Sequence, residues 1–276
     1  MKKLIIVRGG GDLATGTVHK LVSAGFRVLI LETENPAAIR RQVSFCEAVY
    51  EGRATVEGLT AVQISNPGQA GQVWAEGNIP LLADPEGECI RELKPAVVVD
   101  AILAKKNLGT HRGMAPCTVA LGPGFCAGED VDAVIETSRG HNLGRIIRKG
   151  TAKPNTGRPG NIGGYTVERV IHSPAGGKIH VICGIGSLVE AGQQIAWVET
   201  GAEKIPVLAT IPGILRGMIR EEYPVTKGFK IADIDPRTEE MQNCFTISDK
   251  ARCIAGSVLE VVCAAMNRED EDAETV

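Results

Sequence analysis

Leu4-Ile5-Ile6-Val7-Arg8-Gly9-Gly10-Gly11-Asp12-Leu13-Ala14 decides the reading of this chain. A short apolar run passes straight into three glycines, and a helical period follows, with Leu13, Ala14, Val18, Leu21 and Val22 suited to one face. The predicted order is strand, tight turn, helix, and the turn fits G-x-G-x-x-A. Gly9 permits the sharp turn, and Gly11 lets backbone N–H groups approach a phosphate with no Cβ in the way. Ala14 lets helix and strand pack closely. The N–H groups that open a helix lack intrahelical partners and favour an anion. Gly9, Gly10, Gly11, Asp12, Leu13 and Ala14 are therefore the primary candidates for holding the phosphate of a nucleotide-like ligand.

Outward from this turn, the run Val28–Leu31 ends at Glu32, 18 residues after Ala14, where the dinucleotide fingerprint places an acid for a ribose hydroxyl. The competing reading is an empty helix end with Glu32 in water. Asp12 sits where it repels a pyrophosphate, so NAD(P) fits less well than another nucleotide. Further apolar runs at Leu59–Ile64, Ile79–Ala83, Ala96–Leu103 and Thr118–Leu121 alternate with helix-like segments. That alternation predicts a Rossmann-like α/β domain with a parallel sheet covered on both faces.

Ligands of such sheets sit beyond the carboxyl ends of the strands. Asp84, then Lys105, Lys106 and Asn107, fall there, as does the turn Gly122-Pro123-Gly124. The lysine pair with Asn107 can bind phosphate or carboxylate oxygens, or can simply be solvated. Glu136 with His141 can form an acid–base pair, although one histidine in a glycine-rich loop is commonly structural. Cys117 and Cys126 are either thiolates able to carry sulfur or selenium, or inert buried thiols. No nucleophile triad and no metal cluster can be read, and the catalytic residues stay unassigned.

The stretch 137–167 has no Asp or Glu but contains Arg139, Arg145, Arg148, Lys149, Lys153 and Arg158. It is either an anion-facing surface or a solvated connector. Beyond it, Val189-x-x-Gly192-x-x-Ile195-Ala196-x-Val198-Glu199 is matched 36 residues later by Val225-x-x-Gly228-x-x-Ile231-Ala232-x-Ile234-Asp235. Such a pattern predicts a β-rich domain like the barrel-sandwich hybrid of biotinyl and lipoyl carriers, with Lys204 in the hairpin Thr200–Pro206, where a carrier bears its modified lysine. The expected division is a nucleotide- or anion-binding domain at 1–150, a Gly/Pro-rich connector at 151–166, the repeat domain at 167–237, and a C-terminal helix with acidic tail at 238–276.

Composition bounds the function. With 276 residues and a formal charge of −3, the chain gives no reason to expect nucleic acid or an anionic membrane as partner. Met1-Lys2-Lys3 leads into an apolar run too short for a signal peptide, and eight scattered cysteines without CxxC read as reduced thiols, so a cytoplasmic protein is expected.

Five segments together carry a resemblance: VRGGGDLATG (7–16), ENPAAIRRQVSFCEAVYEG (34–52), ELKPAVVVDAILAKKNLGT (92–110), ALGPGFCAGEDVDAVIETSRGHNLGR (120–145) and ISDKAR (247–252). In order and over nearly the whole chain, they resemble the YqeB-like accessory family of selenium-dependent molybdenum hydroxylase systems. The resemblance implies a maturation protein that binds molybdenum cofactor (molybdopterin) or a related nucleotide and assists installation of a selenium or sulfur ligand. Its partners would be the apo-hydroxylase, a phosphate-bearing small molecule and, in a homo-oligomer, further copies of itself. Alternatives are a nucleotide-dependent oxidoreductase or transferase, and a carrier modified at Lys204.

Overall fold

The computed structural model describes residues 3–157, 159–201 and 203–274, so Arg158 of the basic stretch lies outside the described residues. The chain divides into two compact units. One comprises the residues up to Pro36, Ser44–Asn155 and those from Ile247 on; the other comprises Ala37–Val43 and Thr156–Thr246.

The first unit is built on β1 (Leu4–Arg8), α1 (Asp12–Ser23) and β2 (Arg27–Glu32), in the order that the glycine turn predicts. There follow α2 (Ala48–Glu51), β3 (Arg53–Val56), β4 (Leu59–Ile64), α3 (Ala70–Ala75), β5 (Ile79–Ala83), α4 (Cys89–Leu93), β6 (Val97–Asp100) and β7 (Cys117–Leu121). The short strands β8 (Cys126–Ala127), β9 (Ala133–Ile135), β10 (Ile146–Ile147) and β11 (Gly150–Thr151) complete it. Nine strands form one sheet in the order β10-β9-β7-β6-β1-β2-β5-β4-β3. Ile5, Ile6 and Val7 of β1 and Leu29 and Ile30 of β2 are fully buried. Strands covered on both faces need no polar alternation, which is why these runs are continuously apolar.

The purely parallel sheet expected from the sequence is corrected to a mixed one, because β3 runs antiparallel to β4 and β10 antiparallel to β9. At the first edge the cause is local. Glu57 and Gly58, with φ of 45° and 83°, make the two-residue turn whose twist suits a hairpin. β1 pairs with β2 on one side and β6 on the other, so the direction of winding reverses between β1 and β6.

The C-terminal helix is not a separate appendage. α5 (Asp249–Glu274) buries Ala251, Ile254, Ala255, Val258, Val261 and Val262, and belongs to the first unit. Its approach to α1 is close: a Cβ on Gly16 would lie 2.8 Å from that of Ala251.

The second unit contains β12 (Val170–His172), β13 (Gly177–Val181), β14 (Leu188–Val189), β15 (Gln194–Glu199), β16 (Lys204–Leu208), β17 (Gly213–Met218), β18 (Pro224–Val225) and β19 (Lys230–Asp235). These make two four-stranded antiparallel sheets, β12-β19-β17-β14 and β16-β15-β13-β18, with Ile179, Ile195, Val198, Leu215, Ile231 and Ile234 in one shared core. Each sheet takes strands from both 36-residue segments: Val189 pairs with Gly213, and Gly177 with Val225.

The carrier-type barrel-sandwich expectation is corrected here. Lys204 does not sit at a hairpin tip but within the β15–β16 ladder opposite Glu199, with its ammonium 4.2 Å from the Trp197 ring centre. The run Lys204-Ile205-Pro206-Val207 simply continues the strand, burying Val207. Segment 37–43 also joins this unit. Met218 donates its N–H to Ile39, and the Arg40 guanidinium donates to the Asn243 and Thr246 carbonyls.

Candidate functional site

The carboxyl ends of β1, β2, β5 and β6 surround a crevice of about 280 Å³. Its walls combine Leu31, Pro85, Ile102 and Leu108 with Arg8, Glu32, Asp84 and Glu86. An open α/β sheet leaves room for a ligand at this place, where the strand order reverses.

Arg8 is the last residue of β1 and is 1% exposed. Its Nη1 donates to Thr110 Oγ1 at 2.5 Å and its Nη2 to the Pro85 carbonyl at 2.6 Å. Thr110 Oγ1 passes the chain on, donating to Asp100 Oδ2 at 2.6 Å. Burial lifts the Asp100 carboxyl above its ordinary value, against the Thr110 hydroxyl, the Ile102 N–H and the Arg8 charge, which favour ionisation.

Glu32 closes β2. Its Oε2 accepts the Gly10 N–H and its Oε1 the Thr33 N–H, each at 2.8 Å. Burial raises its pKa in spite of both bonds. Asp84 follows β5 and accepts the N–H groups of Gly87, Glu88 and Cys89 at 2.9 to 3.0 Å. Burial alone would raise its pKa, but those donors prevail and hold it low. The Cys89 thiol, desolvated and beside Asp84, is pushed up to about 12. Cys46, buried near Glu32 and Glu47, also stands well above the ordinary thiol value. Neither supplies a thiolate at neutral pH.

The glycine turn is placed as expected, but much of its close approach is to the chain itself. A Cβ on Gly9 would lie 2.8 Å from the Ala101 carbonyl oxygen, and one on Gly10 would lie 2.9 Å from the Cys46 nitrogen. Cys46 donates its N–H to the Gly10 carbonyl, and Thr15 Oγ1 links Gly10 to the Phe45 N–H. The segment Ser44-Phe45-Cys46-Glu47 therefore seats on the turn, and the Gly10 N–H is committed to Glu32. Gly11 is different. It is the N-cap of α1, no side chain caps it, and nothing lies within 4 Å of where its Cβ would be. Asp12, Leu13 and Ala14 continue the first turn of that helix.

Other predicted residues are brought close but used internally. Asn107 accepts the Gly109 and Thr110 N–H groups and donates to the Thr110 carbonyl, which fixes the loop that delivers Thr110 to Arg8. Lys105 and Lys106 are exposed. Their backbone packs on Gly124, where a Cβ would lie 2.7 Å from Lys106 Cα, while Gly122 meets Thr137.

The Glu136–His141 pair is corrected. Glu136 is buried and accepts the Ser138 and Lys153 N–H groups, holding a loop, while His141 is exposed. In the basic stretch, Arg139 meets a carboxylate, Asp249, through two 2.9 Å bonds. Cys117 is buried, and desolvation, with Glu129 and Asp130, raises the Cys126 thiol.

The sequence reading missed Arg8, Asp100 and Thr110. The signal was present: a charge inside an otherwise apolar strand, in Ile5-Ile6-Val7-Arg8 and again in Val97-Val98-Val99-Asp100, marks a buried ion that needs partners. Among the described residues, no cluster of His, Cys, Asp and Glu could hold a metal ion. No helix among them is long and apolar enough to cross a membrane.

No family model matches the chain. Solved structures with similarity include a succinylglutamate desuccinylase/aspartoacylase from Rhodobacter sphaeroides (13% identity, 84% of this chain, 85% of that one, TM-score 0.29). The ectoine utilization protein EutE (DoeB) from Ruegeria pomeroyi is similar at 10% identity over 84% of this chain and 86% of that one, with a TM-score of 0.27. An aspartoacylase family protein from Mesorhizobium loti stands at 10% identity over 84% of both chains, also with a TM-score of 0.27.

These similarities are too low to lend this chain a fold or an activity. Their names are those of desuccinylase, aspartoacylase and ectoine utilization proteins. None of these names supports the molybdenum hydroxylase maturation role expected from the sequence, and that role is withdrawn. In sequence, the chain is 48% identical over 267 residues to the Escherichia coli (strain K12) protein called uncharacterized protein YqeB. The match covers 96% of this chain and 48% of the relative, so the chain spans about half the length of the curated protein it matches. Identity of that extent shows that the chain belongs to the YqeB family.

Proposed function

We propose that the crevice at the carboxyl ends of β1, β2, β5 and β6 binds the nucleoside end of a nucleotide. The observation that carries this is Glu32. Two backbone N–H groups fix its carboxylate in the lining of the crevice, and each oxygen keeps a lone pair for a ligand hydroxyl. A cavity of about 280 Å³ with walls part apolar and part charged has the size of a nucleoside rather than of a dinucleotide. The uncapped α1 start at Gly11 supports placing the phosphate there. Asp12 in the same turn disfavours a highly charged pyrophosphate.

Thermal unfolding tests this with the four ribonucleosides, their monophosphates and the 2′,3′-dideoxynucleosides. A ligand at 100 times its Kd adds about 2.7 kcal/mol of stability. A ribonucleoside or its monophosphate is expected to stabilise the protein, the dideoxy compound is not, and Glu32→Ala is expected to abolish the response. Equal response to ribo and dideoxy forms, or silence throughout, would overturn the reading. Molybdopterin, the other anion expected from the sequence, belongs in the same panel, and a response to it alone would also overturn it.

A further inference from the structure

A second cavity in the first unit, of about 1090 Å³, is far larger than the crevice and has a different chemistry. Its lining comes from α4 with its flanking turns, from the segment 111–116 that returns to β7, and from the start of β1. The crevice reaches it only at Glu86. Its apolar lining includes Ile90 and Met114; its charged lining is Lys3, Arg91 and Lys94 against Glu86 and Glu88. Three cations thus face two carboxylates, in a chain whose net charge is −3. Among the described residues, neither the Arg91 guanidinium nor the Lys94 ammonium has an ion-pair partner.

Two further observations point to a ligand. Lys94 ends α4 in the left-handed conformation, with φ of 44° and ψ of 63°. Glycine ordinarily fills that C-terminal position, and a side chain there costs about 1–2 kcal/mol. The chain accepts that strain and projects a cation at the cavity. His111 accepts the Gly113 N–H on Nδ1 at 3.1 Å. With Nδ1 accepting, Nε2 is the nitrogen left to donate to an oxygen acceptor.

We infer that this cavity binds an amphipathic organic anion. The carboxylate or phosphate head lies against Arg91, Lys94 and the His111 Nε2–H, and the hydrocarbon body lies along Ile90 and Met114. Free and bilayer-held sources of such a ligand share this chemistry, and the test separates them.

The probe is 8-anilinonaphthalene-1-sulfonate, an anion with an apolar body whose fluorescence rises on transfer to an apolar site. Native protein is expected to bind it, with displacement by octyl phosphate or octanoate but not by inorganic phosphate or octanol alone. Vesicles of dioleoyl phosphatidylglycerol are expected not to cosediment with the protein; if they do, the source is a membrane lipid. The exposed pair Arg91→Glu with Lys94→Glu is expected to weaken probe binding about tenfold or more, as loss of charge-assisted contacts implies.

A second variant guards against simple unfolding. Lys94→Gly relieves the backbone strain, so it is expected to melt no lower than wild type while binding the probe several-fold more weakly. Undiminished binding in both variants, or displacement by octanol as efficient as by octyl phosphate, would overturn the inference. Nucleoside binding in the crevice is expected to survive both variants, which keeps the two readings separable.

Discussion

Single residues around the glycine turn divide into those that serve the fold and those left open. Gly10 belongs to the first group, because a Cβ there would meet the Cys46 backbone nitrogen at 2.9 Å, and a backbone atom does not yield cheaply. Gly10→Ala is expected to destabilise by about 1–3 kcal/mol, as overpacking does. Gly11→Ala meets nothing within 4 Å and is expected to cost no more than about 1 kcal/mol, the difference between cap residues. Urea unfolding of the two variants checks the contrast.

Asp84 anchors three N–H groups, and Asp84→Ala is expected to cost about 1–2 kcal/mol at neutral pH. Because its native pKa is lowered, this contribution is present above the ordinary value of 3.8 and is lost as pH falls through the native one. The gap between wild type and Asp84→Ala should therefore close in acid. The sequence made the turn and Glu32 legible, since glycine spacing reports backbone geometry directly. It could not show that Cys46 rather than a phosphate lies over Gly10, because that contact joins residues 36 positions apart through no periodic signal.

At the scale of elements, most strands of the first unit can be read from their apolar runs. β3 escaped because Arg53-Ala54-Thr55-Val56 is an edge strand with one buried residue, so its period-2 signal is nearly absent. The C-terminal helix is readable from the sequence, whereas its partner is not, since an amphipathic pattern says that a face is buried and not against what. The structure supplies the answer in Gly16 and Ala251. Gly16→Val would push two helices apart and is expected to destabilise by about 1–3 kcal/mol. Ala251→Gly in the same background should recover part of the loss, a coupling that a double-mutant cycle measures. In the second unit the 36-residue repeat can be read from the sequence, but the carrier analogy misplaces Lys204. Only strand pairing shows that residue to be opposite Glu199.

For the molecule as a whole, burial of ionisable groups at the carboxyl ends of the sheet sets a pH dependence. Asp100 and Glu32 both have native pKa values raised mainly by desolvation. A raised carboxyl contributes stability that is complete below the unfolded value, 3.8 for Asp and 4.5 for Glu, and that is lost as pH rises through the native value. Wild type is thus expected to lose stability relative to Asp100→Asn as pH is raised from about 4, followed by chemical denaturation at successive pH values. A difference independent of pH would show that Asp100 ionises as easily folded as unfolded.

The pairing of α1 with α5 also constrains how the protein is made. At about 5–20 residues per second, a ribosome needs on the order of 10–45 s after finishing α1 before α5 begins to emerge. Throughout that interval the Gly16 face of α1 has no cover, and the nascent polypeptide carries an adhesive surface that its own later translation must satisfy. Synthesis of this chain should accordingly depend on holdase chaperones, and stalling before residue 249 should leave it aggregation-prone however much of the sheet has formed.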